Sequence, residues 1–329
     1  MFSTRPFNGS SEDYEAIVAI RNAIWPDMPV NVSFQARRDR QRIPEHLFRR
    51  VLVIREKIAA EPVQCVAFAE YGHMSWAFDP RKYYLEILIL PDFQQQGIGG
   101  MLYDHIIAEL QPSDPRSIDA LTREDKPEGQ RFLEDRGFQM ASRSPCSVLD
   151  PAAFEPERFS GVVQAMQDSG ITIRTFGELD AIYPDHLRRL FDLDRIIMQD
   201  IPWHDDFTPV PFEHFAKRLE DNPNLMPNGF LVALDEDRYI GLTNLWASEA
   251  TDTILYTGLT GVLRDYRRQG IATALKVQAI SYAKSLTSSE GGPPEIRTDN
   301  HEDNPMFLLN LRFGFQELPA WLEYRKSLE

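Results

Sequence analysis

The chain is short of cysteine, of basic side chains and of long apolar runs. Only Cys65 and Cys146 occur among its 329 residues, which excludes a disulfide framework and makes a reducing cytoplasm the expected setting. No apolar run reaches the roughly 18–20 residues that a membrane-spanning helix needs, and residues 1–7 lack the basic stretch, apolar block and cleavage site of an export signal. Cytoplasmic location without a membrane partner is the expectation. Lys and Arg number 35 against 50 Asp and Glu. Residues 1–150 hold 18 basic against 22 acidic side chains, and residues 151–329 hold 17 against 28. Nucleic acid is a poor partner for such a second half, because clustered Lys and Arg supply that affinity, whereas a cationic small molecule would be attracted. The Gly-Lys-Ser/Thr of a P-loop is missing. His204 stands beside Asp205 and Asp206 without a second His or Cys at ligand spacing, so no metal is expected.

What the chain does have is size and an internal repeat. Its length predicts two domains, and 43% hydrophobic with 26% charged residues is a globular composition. One loop type occurs twice, each time after an apolar extended run and before an apolar helical run: Gln94-Gln95-Gln96-Gly97-Ile98-Gly99 and Arg267-Arg268-Gln269-Gly270-Ile271-Ala272. Upstream, each half opens with a short extended piece carrying Arg5 or Arg174. Downstream, each has a short helix closed by Gly137-Phe138 or Gly314-Phe315. These equivalent points lie 169, 173 and 177 residues apart, so order and spacing hold throughout. The reading is an N-terminal domain over 1–150, a connector over 151–170 with a short helix, and a C-terminal domain over 171–329. Each half should run strand, two helices, three antiparallel strands, loop and helix, strand, helix, strand, which predicts a mixed α/β sheet.

A glycine at the mouth of a helix leaves several backbone N–H groups without intrahelical partners at the positive end of the helix dipole. Such an end binds phosphate, and the missing Cβ of Gly97 or Gly270 lets an anion approach closely. Arg267 and Arg268 add positive charge in the second half, whereas Gln94, Gln95 and Gln96 add none in the first. A dinucleotide fingerprint is a competing reading, but Gly97-Ile98-Gly99-Gly100 has no third glycine at the required position and follows three earlier strands.

Both halves resemble the GNAT superfamily of N-acyltransferases, through this Arg/Gln-x-x-Gly-x-Gly/Ala loop after the fourth strand and the later Gly-Phe. The second half is further similar to mycothiol synthase-like tandem members, through Thr260-Gly261-Val262, Thr298-Asp299-Asn300 and residues 306–310. The resemblance implies two tandem GNAT domains and acetyl-CoA or another acyl-CoA as donor. It places the pyrophosphate on Gln94 to Gly99 or on Arg267, Arg268, Gln269, Gly270, Ile271 and Ala272, and the pantetheine between splayed fourth and fifth strands. Backbone groups around Leu88 to Leu90 and Thr260 to Val262 would contact the coenzyme, with Asn300 also assigned to it.

Many relatives carry a base glutamate eleven residues before the loop. Those positions are Tyr83 and Tyr256 here, and the usual general-acid tyrosine is replaced by Leu133 and Asn310. Tyr256, which could protonate the leaving thiolate, and Glu86 are the remaining catalytic candidates. Strand alternation puts Glu86 on the face opposite Tyr83. In this family the acceptor meets the loop between the first two helices, where Trp25 in one half and Asp200, Trp203 and Asp205 in the other suit an ammonium-bearing acceptor. The expectation is therefore an N-acetyltransferase for a small-molecule amine, its C-terminal half catalytic, as a monomer or homodimer. The alternative is a non-catalytic acyl-CoA sensor or scaffold.

Overall fold

The computed structural model describes residues 2–56, 63–202 and 205–329. The first half runs β1 (Phe2–Pro6), α1 (Ser11–Ile24), α2 (Val32–Arg40), β2 (Phe48–Arg55), β3 (Gln64–Gly72), β4 (Lys82–Ile89), α3 (Ile98–Leu110), β5 (Ser117–Arg123), α4 (Pro127–Glu134) and β6 (Gln139–Leu149). The second runs α5 (Ser160–Asp168), β7 (Ile171–Thr175), α6 (Phe176–Ile182), α7 (His186–Met198), α8 (Phe212–Glu220), β8 (Leu225–Asp235), β9 (Arg238–Ala247), β10 (Ile254–Val262), α9 (Ile271–Lys284), β11 (Glu295–Asp299), α10 (Pro305–Phe313) and β12 (Gln316–Ser327). Local chemistry sets many of these ends. Ser10 caps α1 by accepting from the Asp13 N–H, with Glu12 and Asp13 in the first turn. Asn304 caps α10 by accepting from the Met306 N–H, with Pro305 in the first turn.

The described residues form two compact units: the chain up to Ser142 together with Trp321–Glu329, and Arg143–Ala320. In the first, the strand order is β1-β2-β3-β4-β5-β12, antiparallel except for the parallel β4–β5 pair. In the second it is β7-β8-β9-β10-β11-β6, again with one parallel pair, β10–β11. The last strand of each half has thus changed places. Trp321–Ser327 pairs with β5, and Cys146–Leu149 pairs with β11. The division expected near residues 150–170 differs from this one because side-chain alternation fixes which face of a strand is buried but leaves its partner open.

Each parallel pair opens partway along. Pairing of β4 with β5 ends at Leu85 opposite Ala120, although the strands run on to Ile89 and Arg123. Pairing of β10 with β11 ends at Tyr256 opposite Arg297, with β10 continuing to Val262. In the first unit Ile17, Ile20, Ile24 and Trp25 pack with Phe68 and Leu88 on one face of the sheet. On the other face Leu102, Ile106 and Leu110 pack with Tyr83, Leu85, Ile118 and, from the exchanged strand, Leu322 and Tyr324. The second unit's core joins Leu149, α5 (through Met166), α9 and β8–β10.

Candidate active site

The two glycine loops have one geometry. Gln95 and Gly97 take left-handed φ values of 59° and 83°, and Arg268 and Gly270 take 62° and 80°. A non-glycine residue at positive φ in the same place of both loops is backbone strain of the sort found at binding turns. The polar side chains brace the turn from inside. Gln94 donates to the Ile89 carbonyl and Arg267 to that of Val262, at 3.1 and 3.0 Å. Gln96 donates to the Asp92 carbonyl and Gln269 to that of Asp265. The first helical bond of α3 runs from the Met101 N–H to Gly97, so the N–H groups of Ile98, Gly99 and Gly100 have no intrahelical acceptor.

The surroundings of the loops differ. A Cβ added at Gly97 would meet no atom within 4 Å, whereas at Gly270 it would lie 2.5 Å from Cγ1 of Val162, on α5. In the second unit the connector helix packs against the glycine at the helix entrance; in the first nothing lies against it. Gly261 in β10 is likewise crowded, its Cβ position lying 2.2 Å from Ile197 of α7. Asp200 holds both Arg264 and Arg267, and this both fills the carboxylate assigned to an acceptor and ties down an arginine assigned to pyrophosphate. Arg268 is exposed, as is Gln95.

In the first unit the opened β4–β5 seam is a cavity of about 610 Å³. Leu85 to Ile89 and Ala120 to Thr122 form its strand walls, Gln94, Gln95, Gly97, Gly99 and Gly100 one end, and Trp25, Asp125 and Lys126 the other side. Phe132, Leu133 and Arg136 reach it from α4 and the turn that follows. Gly99 has a packing reason to be glycine, since a Cβ there would lie 2.9 Å from the Phe132 ring. The Leu90 N–H donates to the Val66 carbonyl. By strand alternation the N–H groups of Ile87 and Ile89, rather than those of Leu88 and Leu90, turn toward the seam. In β10 the Leu263 N–H goes to Ile240, so the same parity turns Thr260 and Val262 toward their own seam.

Glu86 lines the cavity and accepts from both terminal nitrogens of Arg21, at 3.1 and 2.5 Å. Arg21, 9% exposed, also pairs with Glu70 at 3.2 Å, and Glu70 in turn holds Arg50. Burial alone would raise the Glu70 carboxyl, but the guanidiniums of Arg21, Arg38 and Arg50 hold it down at about 2. Burial likewise opposes the charge of Arg21, and Glu86 and Glu70 more than restore it. The result is a carboxylate fixed at the seam by Arg21. Tyr83 faces the other side, in the α3-side core, and its hydroxyl donates to the Pro80 carbonyl.

Beside Trp25, Arg123 lies 5.2 Å from the Trp25 ring and 5.8 Å from that of Trp321. Its guanidinium grips Asp125 through Nε at 2.9 Å and Nη2 at 2.6 Å, and Asp27 through Nη1 at 2.7 Å. The hydrogen bonds from Arg123 hold the Asp125 carboxyl below its ordinary range. Arg136 is stacked 3.7 Å over Phe132, and its Nη2 lies 3.4 Å from the Cβ position of Gly100, beside the open helix entrance. Arg21, Lys126 and Arg136 are site residues that the sequence reading missed. Arg136 directly precedes the recognised Gly-Phe, the one signal that could have drawn notice to it.

Of the other expected site residues, Tyr256 is half-buried in β10, in register with Trp246 and Arg297. Asn300 accepts from Asn310 at 2.7 Å. Asp205 is half-buried, and Trp203 and His204 lie outside the described residues. Among the described residues no group of three or more His, Cys, Asp or Glu could hold a metal. No helix there is long and apolar enough to cross a membrane.

A family model described as acetyltransferase (GNAT) family matches residues 17–138 and 190–304. A tandem GNAT protein from the clavulanic acid biosynthesis pathway is similar at a TM-score of 0.72 and 15% identity, over 99% of this chain and 98% of that one. A GCN5-related N-acetyltransferase from Sphaerobacter thermophilus is similar at 0.66 and 18%, over 99% and 95%. The glucosamine N-acetyltransferase region of a fungal multi-domain β-N-acetylglucosaminidase scores 0.68 at 13%, over 99% of this chain and 38% of that one. No curated protein sequence matches significantly.

Proposed function

The chain belongs to the acetyltransferase (GNAT) family, and from that premise we propose that it moves an acetyl group from acetyl-CoA to the amine of a small molecule, using the first unit's cleft. The observation that carries this reading is the opened seam running to an uncovered helix entrance at Gly97. It reverses the expectation that the second half is catalytic. The covered Gly270, the engaged Arg267 and the crowded Gly261 all argue against coenzyme in the second unit.

In this reading the free N–H groups of Ile98, Gly99 and Gly100 receive the pyrophosphate, and Arg136 supplies the charge that the neutral glutamines lack. The Ile87 and Ile89 N–H groups face the pantetheine arm and are the donors nearest the thioester carbonyl, where negative charge develops during attack. Glu86, whose two oxygens accept from Arg21, is suited to orienting the acceptor. The proton leaves through water. Leu133 at the usual acid position favours the second reading, an acyl-CoA sensor.

Titration calorimetry with acetyl-CoA tests the assignment. One site per chain is expected, lost in Gly97→Asp, where a carboxylate that tolerates positive φ would occupy the anion position, and kept in Arg268→Ala. Two sites per chain, or binding that survives Gly97→Asp, would refute it. Thiol release across a panel of amines then separates transferase from sensor.

A further inference from the structure

Resting on that reading of the first unit's cleft, we propose that the acceptor is an amine that also carries a carboxylate, and that Lys126 receives that carboxylate. The sequence alone favours a cationic acceptor lying on Trp25. The ring is already served by the protein's own cations, with Arg123 at 5.2 Å and the Lys126 Nζ at 5.5 Å. A substrate ammonium there would be a third positive charge on one indole.

Lys126 lines the cavity at the acceptor side and is half-buried at the head of α4. The carboxylates beside it have other partners: Asp125 is bound through both oxygens by Arg123, which also takes Asp27, and Lys126 adds only a lesser attraction to Asp125. Glu128 lies within 3.7 Å of Arg131. Among the described residues Lys126 makes no ion pair, so its ammonium is the charge at this side of the cavity left for a ligand. Arg136, the other such cation, stands beside the helix entrance, where the coenzyme's phosphates would lie. Glu86 on the seam completes a pattern of one fixed anion and one open cation, which fits an amino carboxylate better than a diamine.

The test pairs amino acids with the amines left by their decarboxylation. Binding to the protein saturated with coenzyme A is followed by thermal shift and calorimetry, and turnover with acetyl-CoA by thiol release. The wild type should favour the amino carboxylates at least about tenfold, Lys126→Met should remove most of that preference, Lys126→Arg should retain it and Lys126→Glu should reverse it. The acetyl-CoA affinity should stay unchanged in Lys126→Met, which also shows that the variant is folded. No preference in the wild type, no binding of any amino carboxylate, or a Lys126→Met variant that keeps both its acetyl-CoA affinity and the wild-type acceptor preference overturns the inference. Failure of the wild type to bind acetyl-CoA, or binding unaffected by Gly97→Asp, falls instead on the proposed function.

Discussion

Replacing Lys276 with methionine should stabilise the second unit, and by an amount that depends on pH. Lys276 lies in α9, 3% exposed, with its Nζ 5.5 Å from the Phe315 ring and no ion pair among the described residues. Burial pushes its ammonium down from 10.5 to about 7. Between those values the unfolded chain holds a proton that the folded chain has released, so folding stability rises with pH by about 1.4 kcal/mol per unit across this window. Below about pH 7 the full penalty applies, at most about 5 kcal/mol for the 3.5-unit difference. Methionine fills the same space without an ammonium. Urea unfolding between pH 7 and 8.5 is the assay, a range chosen because the Cys65 thiol, pushed by burial from 9.0 to about 11, adds an opposite slope above pH 9. Wild type should gain stability across the range, while Lys276→Met should stay flat and exceed wild type most at the acidic end. A variant with the wild-type slope, or one less stable than wild type at pH 7, would refute the reasoning.

Three further outcomes are expected. Glu70→Gln leaves Arg21 and Arg50 short of a buried counter-charge and should cost about 3 kcal/mol in denaturant unfolding. Because the Glu70 carboxyl is held near 2 against an ordinary 4.5, its contribution is present above about pH 4.5 and is lost as pH falls toward 2, and the variant should lack that acid-dependent loss. Arg136→Met should weaken acetyl-CoA binding roughly tenfold and flatten its salt dependence, both measurable by calorimetry at two ionic strengths. A chain ending at Ala320 should lose acetyl-CoA binding although no loop residue is touched. It strips β5 of its antiparallel partner and removes Leu322, Tyr324 and the Arg325 bonds to Asp119 at 2.6 and 2.8 Å. Retained binding would mean that the exchanged strand is dispensable to the first unit.

Much of this arrangement is legible in the sequence. The repeated loop and its spacing fixed two similar halves, and strand alternation correctly separated Glu86 from Tyr83. The exchange of β6 and β12 was not legible, because both are long amphipathic strands after the same Gly-Phe turn and nothing in their pattern names a neighbour. The parity of the seam-facing amides in the first half is not legible in the sequence. Only the bond from Leu90 to Val66 fixes which N–H groups β3 consumes. Val162 was likewise silent: a valine in a connector helix carries no sign that it covers a glycine more than a hundred residues later.

The arginines of the second loop show that charge read along a sequence does not say where that charge is spent. Asp27 and Asp200 stand 173 residues apart, the same interval that relates Gln94 to Arg267, and each aspartate holds an arginine. In the first unit that arginine is Arg123, from the end of β5, so the loop keeps its amides open and neutral side chains suffice to brace the turn. In the second unit Asp200 takes Arg264 and Arg267 from the loop itself. A guanidinium whose hydrogen bonds go to a half-buried carboxylate and a strand carbonyl has little left for a phosphate. The richer loop charge therefore marks the half in which that charge is spent internally. Where two halves share a motif, the copy with fewer internal partners is the better candidate for binding.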